Sequence, residues 1–273
     1  MAVTQRDYSR ELVDAAKSVL IELARLLHEY RENIVVIGGW VPELLFSDHI
    51  GSVDVDLALN HTNLTETGYA TIEKLLLSRG YERDERNPYV FHRSVAGGEH
   101  RLLVELDLLS GYYGGTGRGR RHQRVQGVMA RKAPGCDLAF SLYEEIRIEG
   151  VLPDGAKAAA TVRVASVVPF LVMKGFALQR GKEKDSWDVD FCVRRFPGGV
   201  DALVEEFQPH LGNSWVREGL KRIGAEFASV DHMGPRHVAD FEEIEDPEAR
   251  ELRVRDAYER VSRLMARLGM PMS

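Results

Sequence analysis

The chain has 273 residues, a formal net charge of −6 and 44% hydrophobic residues, a composition typical of an ordinary globular protein. Its two cysteines, Cys136 and Cys192, form no Cys-x-x-Cys pair, which argues against a disulfide scaffold and a structural zinc site. The first residues lack the apolar core of a signal peptide, and the longest apolar stretch, about residues 164–173, is too short to span a bilayer. We therefore expect a cytoplasmic protein with no membrane partner.

The first half of the chain mixes predicted helices and strands. Apolar residues at helical spacing predict an amphipathic helix over about 8–30. A short helix is predicted to follow Gly38-Gly39 and to end near Phe46, and another is predicted over 64–79. Apolar runs bounded by turn residues predict strands at 34–37, 53–59, 102–109, 142–149 and 160–164.

From Ser166 onward the pattern is almost wholly helical. Helices are predicted over 167–180, 185–196, 200–208, 213–227 and 247–268. We therefore expect an α+β protein in which a mixed sheet flanked by helices is followed by a helical C-terminal domain. The predicted boundary divides the chain into domains of residues 1–165 and 166–273.

Two aspartates on one predicted strand give the strongest chemical signal in the sequence. Alternation along a strand puts Asp54 and Asp56 on one face and their apolar neighbours on the other. The two carboxylates repel each other unless a cation lies between them. Carboxylate oxygens suit Mg²⁺, which takes further ligands from substrate phosphates, and two such ions serve in-line phosphoryl displacement. We expect one or two Mg²⁺ ions here, with Mn²⁺ as a substitute.

A further carboxylate and a glycine pair accompany the two aspartates. Asp107 shares one face of the strand at 102–109 with Glu105 and is predicted as a third metal ligand. Gly38 and Gly39 follow the strand at 34–37, where the lack of side chains lets the backbone approach a phosphate at the start of a helix.

The tripeptide Asp-Val-Asp occurs again at 188–190, in a helical context. On a helix, residues two apart diverge by about 200°, so Asp188 and Asp190 cannot form a second metal clamp. If this second pair has a chemical role, Asp188 acts without Asp190.

The first block, a hydrophobic residue followed by Gly-Gly, then Asp-x-Asp and a later strand aspartate, resembles the nucleotidyltransferase (DNA polymerase β-like) superfamily. A second block comprises residues 162–166, 171–180 and 184–188, and it resembles the AbiEii-like family, the nucleotidyltransferase toxins of type IV toxin–antitoxin pairs. The resemblance spans about residues 34–196 and implies a nucleotidyltransferase-type sheet. Two features depart from the family's sequence pattern. This chain has Trp40 where many relatives have a small residue, and the family does not use the third carboxylate uniformly.

The resemblance implies a role for each matching residue. Asp54 and Asp56 would bind metal and the nucleoside triphosphate, Lys174 would neutralise phosphate charge, and Asp188 would be the distal catalytic acidic residue. The residues implied to contact the nucleotide are Gly38, Gly39, Ser52, Arg180, Lys184 and Asp185. Without the resemblance, Lys174 could equally extend from a core helix to solvent, and Asp185 could simply favour a helix N-terminus.

A basic segment without acidic residues follows the glycine-rich stretch at 111–117. Its charges are Arg118, Arg120, Arg121, Arg124, Arg131 and Lys132. It is interpreted either as a solvated loop or as an arm that holds a polyanionic acceptor such as RNA, or the triphosphate. Tyr112 and Tyr113 could stack on bases or could equally be half-buried.

The sequence thus predicts a metal-dependent enzyme that moves a nucleoside monophosphate from an NTP to an acceptor and releases pyrophosphate. The resemblance implies that the acceptor is an RNA such as tRNA, or a protein hydroxyl, and that the protein is a toxin with a cognate antitoxin. The alternatives are a small-molecule nucleotidyltransferase, such as one that modifies aminoglycosides, and a catalytically silent binding module with the same fold. The basic segment favours a polyanionic acceptor over a cationic antibiotic, and the intact aspartate pair favours an enzyme over a silent module.

Overall fold

The computed structural model describes residues 4–46, 48–64, 71–97, 100–112 and 122–272. These residues divide into two compact units. The sheet unit lies within Tyr8–Leu45 and Ile50–Ser166, and the helical unit lies within Met1–Asp7, Phe46–His49 and Val167–Ser273.

Across the described residues, the sheet unit contains one mixed sheet of nine strands. Their bounds are β1 Ile34–Ile37, β2 Asp54–Leu59, β3 Tyr81–Arg83, β4 Val90–Gly97, β5 His100–Ser110, β6 His122–Val125, β7 Val128–Lys132, β8 Tyr143–Val151 and β9 Lys157–Ala165. The main order is β3-β4-β5-β2-β1-β9-β8, and β7 joins β6 to the end of β5. The β2–β5 and β1–β9 pairs are parallel, whereas β1–β2, β4–β5 and β8–β9 are antiparallel.

In the described part of the sheet unit there are three α-helices, namely α1 Arg10–Leu26, α2 Trp40–Leu45 and α3 Ile72–Ser78. Helix α1 begins where the Ser9 hydroxyl accepts the backbone N–H of Leu12, a standard N-cap. Its apolar stripe, which includes Val19, Leu20 and Leu23, is fully buried, and the helix packs on the sheet.

The helical unit comprises α4 Val167–Ala177, α5 Glu183–Arg195, α6 Gly199–Phe207, α7 Ser214–Glu226, α8 Met233–Phe241 and α9 Pro247–Leu268. Helix α5 packs against α4, α6, α8 and α9, so it is the central element of this unit. Helix α9 begins at Pro247, directly after Asp246, whose carboxylate accepts the N–H of Ala249. No described helix is long and apolar enough to cross a membrane.

The expected α+β class, with a mixed sheet, flanking helices and a helical C-terminal part, is confirmed. Several elements differ from the prediction. Strands β3, β4, β6 and β7 and helix α8 were not predicted, and the helix expected over 64–79 is present only at Ile72–Ser78 within the described residues. Strand β4 carries His92, Arg93 and Ser94, which obscure the strand pattern, and its pairing with β5 decides its structure.

Candidate functional site

Four carboxylates lie on one face of the sheet, on neighbouring strands. In the parallel pair of β2 and β5, Asp54 lies opposite Glu105 and Asp56 lies opposite Asp107. Side chains in register on adjacent strands project to the same face. On the other face Val55 and Leu106 are fully buried, so register fixes the acidic side chains away from this core.

Gly38 makes room for one of these carboxylates. Its φ of +69° is unusual for any residue but glycine, and a Cβ atom at this position would overlap the Asp56 carboxylate. The Asp56 side chain therefore lies against the turn that follows β1. Gly38 was predicted to let the backbone approach a phosphate. The structure shows that it also makes room for Asp56, a predicted metal ligand.

Two neighbouring groups fix the start of β2. The Ser52 hydroxyl, which is buried, donates to Oδ1 of Asp54. The indole N–H of Trp40 donates to the backbone carbonyl of Asp54 at 2.8 Å, and this ring is buried too. Trp40, noted in the sequence only as a departure from the family pattern, thus holds the backbone that carries the first aspartate.

Asp107 contacts a residue that the sequence analysis assigned to acceptor binding. Its Oδ2 accepts from Nη2 of Arg131 at 3.2 Å, and this guanidinium lies over the Tyr89 ring, 5.2 Å from its centroid. Lys132 follows on β7, in register with Ser110. Arg118, Arg120, Arg121 and Tyr113 lie outside the described residues.

The carboxylate face offers oxygen ligands for a metal ion. Within the part of the chain that the structure describes, no three His, Cys, Asp or Glu side chains form a group that could hold an ion. Mg²⁺ needs only one or two protein carboxylates when water and substrate phosphates complete its octahedron. The donor chemistry of Asp54 and Asp56, two hard oxygen ligands on one face, fits that mode.

A second set of charged groups lies within the helical unit, between α4 and the first turns of α5. The Lys174 ammonium lies 2.6 Å from Asp185 Oδ1 and 2.6 Å from Asp188 Oδ2. Lys184 donates to Asp188 Oδ1 at 2.8 Å, and Arg180 donates to Asp185 Oδ2 at 3.1 Å. The structure therefore groups all five second-block residues that the resemblance singled out.

Burial and charge act against each other in this cluster. Burial raises the pKa of Asp188 and Asp185, but the adjacent cations, above all Lys174, outweigh burial and hold both pKa values below the usual range. Burial likewise lowers the pKa of Lys174, yet the two carboxylates raise it above its usual value. The cluster contains three basic side chains, those of Lys174, Lys184 and Arg180, against two carboxylates, so its formal charge has an excess of one positive charge.

His49 completes this cluster and was missed by the sequence analysis. Its Nε2 lies 3.0 Å from Oδ1 of Asp188, and the imidazole is fully buried against the rings of Trp187 and Phe191. Burial lowers the pKa of His49 to about 4, because the bond to Asp188 only partly offsets desolvation. The neutral ring donates its N–H to the carboxylate. No spacing in the sequence signals this contact, which joins residues far apart in the chain.

Asp190 points away from that cluster, as helical geometry requires. It accepts from Arg253 at 2.6 Å and from Arg260 at 2.7 Å, both on α9. Arg253 also binds Glu242, the acceptor of the Trp187 indole N–H. Asp190 therefore belongs to a separate buried ion-pair network that holds α9 against α5.

The buried His49 predicts an acid-sensitive fold. Between pH about 6.5 and 4 the unfolded chain gains a proton on this imidazole that the folded chain does not, so stability falls as the pH falls through this window. The loss from pH 7.5 to 4.5 is about 2–3 kcal/mol from this residue. Urea titrations at both pH values measure it. In His49→Gln the pH dependence should shrink by that amount, whereas His28→Gln, which alters an exposed ring, should leave it unchanged. An unchanged slope in His49→Gln would contradict the assignment.

Comparison with known proteins adds two structural neighbours. No protein-family model and no curated protein matches the sequence. Among solved structures, JHP933 from Helicobacter pylori superposes with a TM-score of 0.46 at 12% identity, over 96% of this chain and 94% of that one. A protein from H. pylori described as a "putative nucleotidyltransferase" superposes with a TM-score of 0.48 at 13% identity, over 96% and 97% of the two chains. At these scores the similarity carries no argument about the fold or the site.

Proposed function

We propose that this chain is a metal-dependent nucleotidyltransferase that moves a nucleoside monophosphate from an NTP to an acceptor and releases pyrophosphate. The observation that carries the proposal is the pair Asp54 and Asp56 on one face of β2, with the Asp56 carboxylate against Gly38. Two half-buried carboxylates on the same face of one strand supply the hard oxygen ligands that Mg²⁺ takes. We further propose that the backbone of the same turn contacts a phosphate group of the nucleotide.

In this proposal Asp54 and Asp56 hold Mg²⁺, or Mn²⁺ in its place, and Asp107 is the third carboxylate. A bound Mg²⁺ would neutralise charge on the triphosphate and on the leaving pyrophosphate. The chain's own part is to fix the ligands. Ser52 and Trp40 orient Asp54, Gly38 makes room for Asp56, and Arg131 orients Asp107. Such prearranged groups lower the cost of reorganisation during the reaction.

We assign phosphate binding to the cluster of the helical unit. Its excess positive charge, on Lys174, Lys184 and Arg180 together, suits a polyphosphate. Asp185 and Asp188 hold the ammonium groups in fixed positions, and Asp188 is also the distal acidic residue that the family resemblance implies. We propose that both groups of residues serve one reaction, and that Gly39 contacts the nucleotide with Gly38.

The acceptor that we propose is a polyanion, specifically an RNA such as tRNA. Support comes from the acid-free basic segment that ends with Arg124, Arg131 and Lys132. The resemblance of the second block to AbiEii-like proteins supports a role as the toxin of a type IV pair, acting with an antitoxin in the cytoplasm. A protein hydroxyl is the other acceptor consistent with that resemblance.

The proposal is tested by incubating the purified chain with each NTP, labelled in turn at the α- or γ-phosphate, together with Mg²⁺ and total RNA. We expect label from one α-labelled NTP on RNA, none from the γ-labelled NTPs, release of pyrophosphate, and loss of transfer in EDTA with recovery in Mn²⁺. Transfer of γ-label alone would indicate a kinase. Label on an added aminoglycoside but not on RNA would indicate the small-molecule alternative. The absence of both transfer and calorimetric binding of Mg²⁺–NTP would indicate a binding module.

A further inference from the structure

One edge of the sheet remains open beside a basic groove. Strand β9 pairs with β8 along its whole length, from Tyr143 opposite Ala165 to Val151 opposite Lys157. On its other side, β1 pairs with β9 only where Val36 lies opposite Val164. Within the described residues, positions 157–162 of β9 therefore have no strand neighbour on that side. We call this segment the β9 edge. An unpaired edge presents backbone groups that can pair with another chain.

The hydrogen-bond register shows which backbone groups are open. Ser166 donates its N–H to the carbonyl of Leu142, and Leu152 donates to that of Ala156. In an antiparallel ladder the residues that bond to the partner alternate, so the even-numbered residues of β9 bond to β8. Ala159 and Thr161 consequently direct their N–H and C=O groups away from β8, toward the open side. These are two consecutive binding positions for an added strand.

A groove of about 620 Å³ runs beside the open edge, within the sheet unit. One wall is the β9 edge, with the small side chains of Ala159 and Ala160. The other wall is the end of α1 and the turn after it, with Ala24 and Arg31. The small residues leave the backbone of β9 accessible, so an extended chain can lie between the two walls.

The charge of the groove favours an acidic occupant. Three arginines line it, Arg25, Arg31 and Arg163, against a single carboxylate, that of Glu145. Arg163 is already engaged by Glu145 at 3.2 Å and by the backbone carbonyl of Glu32 at 2.6 Å. Arg25 is exposed and has no ion-pair partner among the residues that the structure describes. Arg31 lies 3.6 Å from the Glu32 carboxylate, so Arg25 supplies the positive charge beside the open backbone that no described carboxylate compensates.

We infer that the β9 edge binds an extended acidic segment of a partner protein, which adds a strand to the sheet. Its backbone pairs with Ala159 and Thr161, and its carboxylates contact Arg25 and Arg31. A second copy of this chain fits poorly, because pairing two such edges would bring the same basic residues together. A nucleic acid would match the charge but not the alternating N–H and C=O groups. The inference is independent of the proposed transfer reaction.

Amide hydrogen exchange of the full chain tests the geometry. In the free protein, the amides of Ala158 and Ala160 should exchange slowly, because they bond to β8, whereas those of Ala159 and Thr161 should exchange quickly. Addition of the acidic peptide Glu-Val-Glu-Val-Glu-Val should slow Ala159 and Thr161 at least tenfold and leave Ala158 and Ala160 unchanged. Fast exchange at both odd positions in the presence of the saturating peptide would overturn the inference.

Fluorescence anisotropy of the same peptide, labelled with fluorescein, tests the partner class. Thr161→Pro removes an N–H that faces the open side and leaves the bonds to β8 in place, so it should weaken binding at least tenfold. Thr161→Val retains the N–H and should bind within twofold of the wild type. Arg25→Glu, and a peptide with Lys in place of Glu, should each bind at least tenfold more weakly.

Three outcomes would refute the inference. The first is equal binding of the peptide by Thr161→Pro and the wild type, and the second is dimerisation of the chain that Thr161→Pro abolishes. The third is displacement of the peptide by a short RNA that binds the groove without slowing exchange of the Ala159 and Thr161 amides.

Discussion

Replacement of Asp56 by Asn is expected to lower the rate of nucleoside monophosphate transfer about a thousandfold, because it removes one of the two charged oxygen ligands proposed for Mg²⁺. Asn keeps the size of the side chain, so the space beside Gly38 stays filled. A thousandfold loss corresponds to about 4 kcal/mol of transition-state stabilisation, a reasonable share for a group that positions a catalytic metal. The assay is α-labelled NTP transfer at saturating Mg²⁺.

Glu105→Gln is the matched control for this variant. Glu105 lies on the same face of the sheet, opposite Asp54, but its side chain is exposed and has no assigned role. Its removal should change the rate less than threefold. Urea titrations of both variants separate lost activity from lost stability. Transfer by Asp56→Asn within threefold of the wild type would show that this face does not hold the metal.

Asn substitutions at Asp188 and Asp190 are expected to have similar costs in stability, but only the first is expected to lower activity. Both carboxylates are fully buried on α5, and each accepts bonds from two cationic side chains. Neutralising either leaves buried cations without their counter-charge, which costs about 3–5 kcal/mol. Chemical denaturation measures both losses.

Only Asp188→Asn should impair the reaction of the folded protein, by about a hundredfold or more. Asp188 holds Lys174 and Lys184, the cations assigned to phosphate, whereas Asp190 holds Arg253 and Arg260 on α9. The rate is measured per folded molecule at low temperature, with the folded fraction taken from the denaturation curve. Equal losses of activity in both variants would show that Asp188 has only a structural role.

The parts of the fold that could be predicted are those whose pattern is local. Strand β2 follows from the alternation of Asp54 and Asp56 with apolar residues, and α9 follows from Asp246, Pro247 and a long helical period. Helix α8 was missed because Gly234 and Pro235 lie in its first turn and resemble a loop. Strand β7 is short, and its pairing with β5 rather than its own pattern makes it a strand.

The candidate site shows the same division. The resemblance of the second block to a known family singles out Lys174, Lys184 and Asp188 from the sequence. The contact of His49 with Asp188 is not visible there, because a lone histidine in a loop carries no signal of its partner. The pairing of Arg131 with Asp107 is not visible either, because the run of basic residues in the sequence gives no sign of this partner. Tertiary contacts decide such individual roles.

The short segment at 46–49 limits where the chain can be truncated to give a separate helical unit. Phe46 packs against Phe191 and Phe196, and His49 against Trp187, so this segment belongs to the helical unit although the sheet unit surrounds it in the sequence. A fragment that begins at Val167 would lack both rings and would expose the aromatic surface that they cover. It would also leave Asp188 without its neutral donor. The helical unit is therefore discontinuous in the gene, and a truncation at the obvious boundary removes part of its core.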